Sequence, residues 1–289
     1  MEHTIHSVLS QNYQEFELII VDDCSPDDLQ SIVEKFSDCR IRYYRNEKNC
    51  GAINVVDNWN ICLSYSQGDY VICMGDDDCL TPCCLEDYFQ LIKKYPGLGV
   101  YHSLTHVIDE GGQIIRTLEE RPEFEEGVEM LINRFEGREQ FIGDFCFDSN
   151  LLKKEGGFYK LPLAWNSDDI TVFRASIGLG IANTQRVGFE YRENRYTISS
   201  DNMPEMKINA LKQADLWYKS FFSQIEFDNK TLRQIIKAKN QRFSKMYSVQ
   251  LLKLFIKNPF NIIYYLPKKN SLYISISLYL KLAFQALRS

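Results

Sequence analysis

Two hydrophobic periods alternate along the first third of the chain. His3–Gln11 carries apolar residues at helical spacing. Phe16–Val21 (F-E-L-I-I-V) is a compact apolar run that ends in Asp22-Asp23 and predicts a buried parallel strand. Asp27–Phe36 puts Leu29, Ile32, Val33 and Phe36 on one side of a helix, and Ile41–Arg45 predicts a second strand. After a turn at Asn49-Cys50-Gly51, Ile53–Tyr65 reads as a helix. Tyr70–Met74 then predicts a third strand that runs directly into Gly75-Asp76-Asp77-Asp78. Pro82 sits at the start of a helix over Cys83–Lys94, and Val100–Ile108 predicts a further strand before the glycine turn at Gly111-Gly112.

Strands alternating with helices predict an α/β fold with a mostly parallel sheet flanked by helices. The next part, Glu119 to about Glu193, is less regular. It holds Gly156-Gly157, then Trp165, then Asp168-Asp169 opening an apolar helical run. From Met206 onward the pattern is helical, which predicts a helical C-terminal extension. The expected division is a catalytic domain over residues 1–200 and a helical region with a basic amphipathic tail over residues 201–289.

Composition fits a globular chain: 45% hydrophobic and 25% charged over 289 residues. The net charge of -6 argues against nucleic acid as a partner. That charge is uneven, because from Leu251 on there are six basic residues and no acidic one. A tail that mixes Leu, Ile, Phe and Tyr with these bases suggests contact with an anionic membrane surface. No stretch is long and apolar enough to span a bilayer, so the protein is expected to be cytoplasmic, with peripheral attachment to the inner face of the membrane. Nine cysteines, with no C-x-x-C spacing, read as reduced thiols, mostly small core residues.

The candidate chemistry lies in aspartates placed where two strands end. In parallel α/β sheets, ligands bind at the carboxyl ends of strands. Asp76, Asp77 and Asp78 repel one another unless a cation or solvent compensates them. A hard divalent ion such as Mg²⁺ or Mn²⁺ bridging to a diphosphate would do so. Asp22-Asp23 could accept hydrogen bonds from a base or ribose. Asp168-Asp169 could supply a general base. Each of these also reads as an acidic helix start that complements the helix dipole.

In combination the pieces resemble family-2 glycosyltransferases. The run S-V-L-S-Q-N-Y-Q-E-F-E-L-I-I-V-D-D-C-S at Ser7–Ser25 matches the family's opening block. Asn49-x-Gly51, Asn60, Gly68-Asp69-Tyr70-Val71 and Gly75-Asp76-Asp77-Asp78 match the next block in order and spacing. L-L-K-K-E-G-G-F at Leu151–Phe158, with Trp165, Asp168 and Arg174, resembles the acceptor-side block. The resemblance implies a GT-A-like fold. Asp23 and Asp76 would contact the nucleotide, Asp77 and Asp78 would hold Mn²⁺ or Mg²⁺, and Asp168 would be the catalytic base. It further implies a nucleoside-diphosphate sugar as donor, a saccharide or lipid-linked acceptor, and inverting transfer in cell-surface polysaccharide synthesis. Two departures stand out. Gly75 occupies a position where the family usually has Asp. The family also begins about twenty residues earlier, with a strand that lies between those of Phe16–Val21 and Tyr70–Met74. Without that strand a second reading is a non-catalytic, nucleotide-sugar-binding remnant.

Overall fold

A computed structural model describes residues 1–194 and 203–288. The chain divides into two compact units. One takes Met1–Met130, Glu139–Lys160 and Ser167–Ser200, and the other takes Leu131–Arg138, Leu161–Asn166 and Asp201–Ser289. The boundary expected between residues 200 and 201 lies outside the described residues.

In chain order the first part holds α1 (Glu2–Leu9), β1 (Leu18–Asp22), α2 (Leu29–Val33), β2 (Ile41–Arg45), α3 (Val55–Tyr65), β3 (Tyr70–Ile72), β4 (Cys79–Leu80), α4 (Cys84–Lys94) and β5 (Val100–Ile108). There follow β6 (Ile114–Thr117), β7 (Phe124–Glu125), α5 (Gly127–Glu136), β8 (Phe145–Asp148), α6 (Ser149–Lys154), α7 (Ser167–Ser176) and β9 (Ile181–Arg192). The last four helices are α8 (Pro204–Phe222), α9 (Asn229–Lys257), α10 (Phe260–Tyr265) and α11 (Ile276–Ala286). The elements read from periodicity up to β5 are all present, with α2 shorter than expected.

The sheet expected to be mostly parallel is mixed. β1 and β2 pair in parallel, Leu18 opposite Ile41 through Asp22 opposite Arg45, and form a sheet of their own. The larger sheet runs β3-β8-β5-β9-β4, with β6 on β5 and β7 on β9. Within it only β5 and β9 are parallel; the other pairings are antiparallel. The antiparallel strands come largely from the irregular stretch after residue 110. There β8 inserts its four residues between β3 and β5, and β9 lines up on β5's other edge. β5 is paired on both edges and is buried along almost its whole length.

β1 and β3 have a different environment. Among the described residues β1 pairs only with β2, and β3 only with β8. An apolar cavity of about 410 Å³ is walled by Leu18 and Ile19 of β1, by Tyr70, Val71 and Ile72 of β3, and by Leu63, Tyr88 and Phe158. This is the place that the resemblance gives to the family's first strand, and among the described residues each bordering strand has a strand partner on one edge only. All nine cysteines are free, with Cys73, Cys79, Cys84 and Cys146 buried as core residues.

The C-terminal unit is built on apolar faces of α8, α9 and α11, where Leu211, Tyr218, Phe243, Tyr247, Phe255 and Tyr279 are buried. Within that core Asp215 is paired with Lys239 and receives a hydrogen bond from the Tyr273 hydroxyl at 2.6 Å. No helix among the described residues is long and apolar enough to cross a membrane.

Backbone amides of β1 and β3 are expected to exchange with solvent more than about tenfold faster than those of β5, because opening costs least where one edge lacks a partner. Hydrogen exchange read residue by residue checks this; equal protection in all three strands would contradict the open-edge description.

Candidate active site

The acidic turn after β3 presents its three carboxylates to different surroundings. Asp76 is exposed, Asp77 half-buried and Asp78 buried. Asp78 Oδ1 accepts the main-chain N–H of Arg192 at 2.9 Å and Oδ2 that of Gly75 at 3.3 Å. Burial pushes the Asp78 carboxyl up to about 7. Asp77 is also raised, first by burial and then by the neighbouring Asp76 charge. Its carboxylate accepts the Asn194 side-chain amide at 2.6 Å. The Arg192 guanidinium spends its donors on the main-chain carbonyls of Asp77, Asp109 and Glu110. Among the described residues none of the three carboxylates has an ion-pair partner. A Cβ at Gly75 would meet Asp77 Oδ1 at 2.9 Å and Asp78 Oδ2 at 3.0 Å, so a larger residue there would make those side chains shift. The departure from the family pattern at Gly75 thus goes with a turn folded back on its own carboxylates.

Helix α1 fixes this turn from the other side. Thr4, Ser7 and Gln11 lie on one face of the N-terminal helical run. The Thr4 hydroxyl donates to the Asp76 carbonyl at 2.7 Å, and the Ser7 hydroxyl accepts the Leu80 N–H at 3.1 Å. Gln11, buried at 1% exposure, donates to the Thr81 carbonyl at 2.7 Å and accepts the Leu85 N–H at 3.0 Å. Polar positions of the opening sequence block therefore hold the backbone around the acidic turn, seventy residues away in sequence.

The two aspartates ending β1 divide their roles. Asp22 is buried, accepts Ser25 N–H at 2.7 Å and the Tyr43 hydroxyl at 2.9 Å, and pairs with Arg45. It anchors the turn. Asp23 is half-buried and accepts the Cys50 N–H and the Asn46 amide, at 2.9 and 2.8 Å. Asn46 also donates to Asn58 at 2.9 Å. Cys24, next to Asp23, sits at a φ of 54°, which costs a non-glycine residue roughly 1–3 kcal/mol and gathers at functional sites. Asp23 and the acidic turn share no hydrogen bond or ion pair among the described residues.

Asp168 is half-buried in the first turn of α7. The segment before it holds Leu163, Ala164 and Asn166 at φ values of 60°, 52° and 71°, a second concentration of backbone strain. The Thr171 hydroxyl ties this helix start by donating to the Ser167 carbonyl at 2.7 Å and accepting the Tyr159 N–H at 2.9 Å. The adjacent Asp169 is buried and accepts the Gln140 amide at 3.0 Å. Asn60 exchanges two hydrogen bonds with the backbone of Phe158, and Arg174 donates to the carbonyls of Glu155 and Gly157. Gly157 has a φ of 85° and leaves no space for a Cβ, which would lie 2.2 Å from Asn60 Oδ1. The sequence motifs contain Asn60, Gly157 and Arg174, and their shared job is to shape this loop.

Sequence reasoning missed Asp144. It is fully buried, and Oδ2 accepts Phe141 N–H at 3.0 Å and the Thr105 hydroxyl at 3.3 Å, with His102 Nε2 at 3.8 Å. Burial pushes its carboxyl up to about 8 against the lowering effect of the Arg121 charge and of its own hydrogen bonds. Asn46, Arg192 and Gln140 were missed as well. Each acts through a main-chain or amide contact that no spacing rule announces.

Residues 1–151 match the model of glycosyl transferase family 2, more than half of the chain, and the chain belongs to that family. It is 27% identical over 229 residues, 71% of this chain and 76% of that protein, to an uncharacterized glycosyltransferase of Haemophilus influenzae. Over 80 residues, 27% of this chain and 28% of that protein, it is 44% identical to the putative colanic acid biosynthesis glycosyl transferase WcaA of Escherichia coli. Over 97 residues, 32% of this chain and 37% of that protein, it is 38% identical to WfgD of Escherichia coli, a UDP-Glc:alpha-D-GlcNAc-diphosphoundecaprenol beta-1,3-glucosyltransferase. The chain thus spans about a third of those two relatives. In fold it resembles the crystal structure of S. aureus TarS in complex with UDP-GlcNAc, with a TM-score of 0.62 over 93% of this chain and 73% of that one, at 16% identity.

The pH dependence of folding checks the Asp144 environment. From about pH 4 to about pH 8 the unfolded chain has lost this proton while the folded chain keeps it, so this group's contribution to stability falls as pH rises through that window. Asp144→Asn preserves an oxygen for the Phe141 and Thr105 donors and removes the titration. Urea unfolding across this range should give a flatter profile for the variant than for the wild type. Parallel profiles would contradict a proton held at Asp144.

Proposed function

We propose that this chain transfers a sugar from a nucleoside-diphosphate sugar to a hydroxyl acceptor, with inversion at the anomeric carbon, in the synthesis of a cell-surface polysaccharide. The observation that carries this reading is the acidic turn: Asp76 is exposed and Asp77 half-buried just after a strand, and among the described residues no cationic side chain is paired to them. Residues 1–200 would form the catalytic domain and residues 201–289 a helical region with a basic tail. The names of WcaA and WfgD support a polysaccharide product and a saccharide or lipid-linked acceptor. The nucleotide sugar in the TarS complex supports the donor class. The reaction would take place at the inner face of the cytoplasmic membrane.

The donor set fits a hard divalent ion such as Mn²⁺ or Mg²⁺. Oxygen ligands are present, and the uncompensated charge is what a cation would relieve. Asp77 would hold it, with Asp76 beside it. Asp78, whose two oxygens accept main-chain N–H groups, supports the ligand loop from behind. When bound, such an ion supplies Lewis-acid stabilisation of the departing diphosphate. Asp23 would accept a hydrogen bond from the nucleobase, steadied by Asn46 and the Cys50 N–H. Asp76, the exposed member of the turn, would reach the ribose. Asp168 would take the proton from the acceptor hydroxyl as that oxygen attacks the anomeric carbon.

A second reading is a module that binds the donor without turning it over. Loss of turnover on substituting Asp168 occurs only if there is turnover to lose, which separates the two.

Asp77→Ala is expected to abolish metal-dependent donor turnover in a folded protein. Hydrolysis or transfer continuing undiminished with Mn²⁺ or Mg²⁺ present would remove Asp77 from the metal site. Asp168→Asn is expected to lower turnover by about 10²–10⁴-fold, the range of general-base catalysis, while nucleoside-diphosphate binding measured by calorimetry stays close to wild type. Equal loss of binding and turnover would place Asp168 in the nucleotide site or the fold instead.

A further inference from the structure

The C-terminal helices are apolar on two sides. In α11, Tyr279, Leu282, Ala283 and Ala286 are buried against the unit's core. The neighbouring stripe, Ile276, Leu280, Phe284 and Leu287, is exposed at 51, 58, 56 and 66%. These four recur at the four- and three-residue steps of one helix face. In α10, Phe260, Ile263 and Tyr264 are exposed at 79, 72 and 59%. The Tyr279 hydroxyl bonds the Ile262 carbonyl and ties the two helices together. Folding of this unit leaves both apolar faces in water, which is costly for large side chains gathered in this way.

We propose that α10 and α11 form a docking face for an anionic lipid bilayer, with their exposed apolar residues seated at the headgroup–acyl boundary. The charge around them selects this occupant. Lys253, Lys257, Lys268, Lys269, Lys281 and Arg288 lie in this part of the sequence, and no acidic residue occurs from Leu251 to the end of the chain; of the six, Lys257 lies 3.9 Å from the carboxylate of Glu205 on α8. The Lys268 ammonium lies 3.2 Å from the centre of the Tyr264 ring, and the Arg288 guanidinium lies 4.0 Å from that of Phe284. Such cations cover the rings while their heads remain free to reach phosphate groups as the rings enter the apolar layer. α10 has six residues and α11 eleven, too short to span, so they lie along the surface. A protein partner with an acidic rim, or a second copy of this chain, would lack the combination of an anionic surface and a fluid apolar interior. The inference stands apart from the catalytic reading, since it uses none of the residues assigned to donor, metal or acceptor.

Co-sedimentation of the full chain with vesicles of phosphatidylglycerol and phosphatidylcholine tests it, beside vesicles of phosphatidylcholine alone. The chain should bind the anionic vesicles at low salt, release from them at high salt, and ignore the neutral ones. The double variant Leu280→Asp, Phe284→Asp changes only exposed positions. It should keep the wild-type melting temperature and lipid-free donor hydrolysis yet lose roughly tenfold or more in vesicle affinity. Lys268→Glu with Lys281→Glu, which leaves the apolar stripe in place, should lose a similar amount. Wild-type affinity in both variants, or no vesicle binding by the wild type, overturns the proposal. So does a wild-type dimer that the aspartate variant converts to monomers without any lipid binding, which would make this face an interface between copies.

Discussion

Three like charges in a row cannot be held in a fixed shape by their own interactions, and the surrounding scaffold supplies the restraint. Asp78 turns inward and gives its oxygens to the N–H groups of Arg192 and Gly75. The Arg192 guanidinium reaches back to the Asp77 carbonyl, and Thr4 holds the carbonyl of Asp76. These contacts fix the backbone and leave the outer carboxylates without an ion-pair partner among the described residues. Each is worth about 1 kcal/mol net, more where a charge takes part. Together they offset part of the repulsion and desolvation recorded in the raised Asp77 and Asp78 carboxyls.

The same constraint explains why distant sequence blocks occur together. Gln11 satisfies its buried amide on Thr81 and Leu85, so α1 cannot shift without leaving polar groups unpaired at the base of the acidic turn. Asp22 does the equivalent work at the end of β1, which frees Asp23 to face outward. At the start of α7 the Gln140–Asp169 bond and the two hydrogen bonds of Thr171 hold the turn that carries Asp168. In each case a buried polar group carries the restraint and a more exposed neighbour is left for chemistry.

The parts legible in the sequence were those with strong local signals. Ile41–Arg45 and Val100–Ile108 are strands as expected, because short segments rich in β-branched and aromatic residues between turns have few alternatives. β8 escaped notice, since F-C-F-D is too short to show a period. β9 escaped because Asn183 and Thr184 are buried polar residues within it, which breaks the pattern of a core strand. With those two strands unread, a parallel sheet was the natural expectation, and their pairing makes it mixed. The aspartates themselves were visible, but not the division of labour among them: no spacing rule distinguishes Asp78, bonded to backbone amides, from Asp77, or finds the buried Asp144 just before β8. In the C-terminal unit the buried Asp215–Lys239 pair was hidden for a similar reason. Its members are 24 residues apart on two helices and look like ordinary surface charges.

The central claim is that aspartates at two strand ends form one nucleotide-diphosphate site completed by a divalent ion. Calorimetric titration of UDP, GDP and dTDP, each with and without Mn²⁺, tests it most directly. One nucleotide should bind with Mn²⁺ and lose most of its affinity without it, and Asp23→Ala should weaken binding of that nucleotide while the fold persists. Binding that is indifferent to both the metal and Asp23, or no binding by any of the three, would contradict the account.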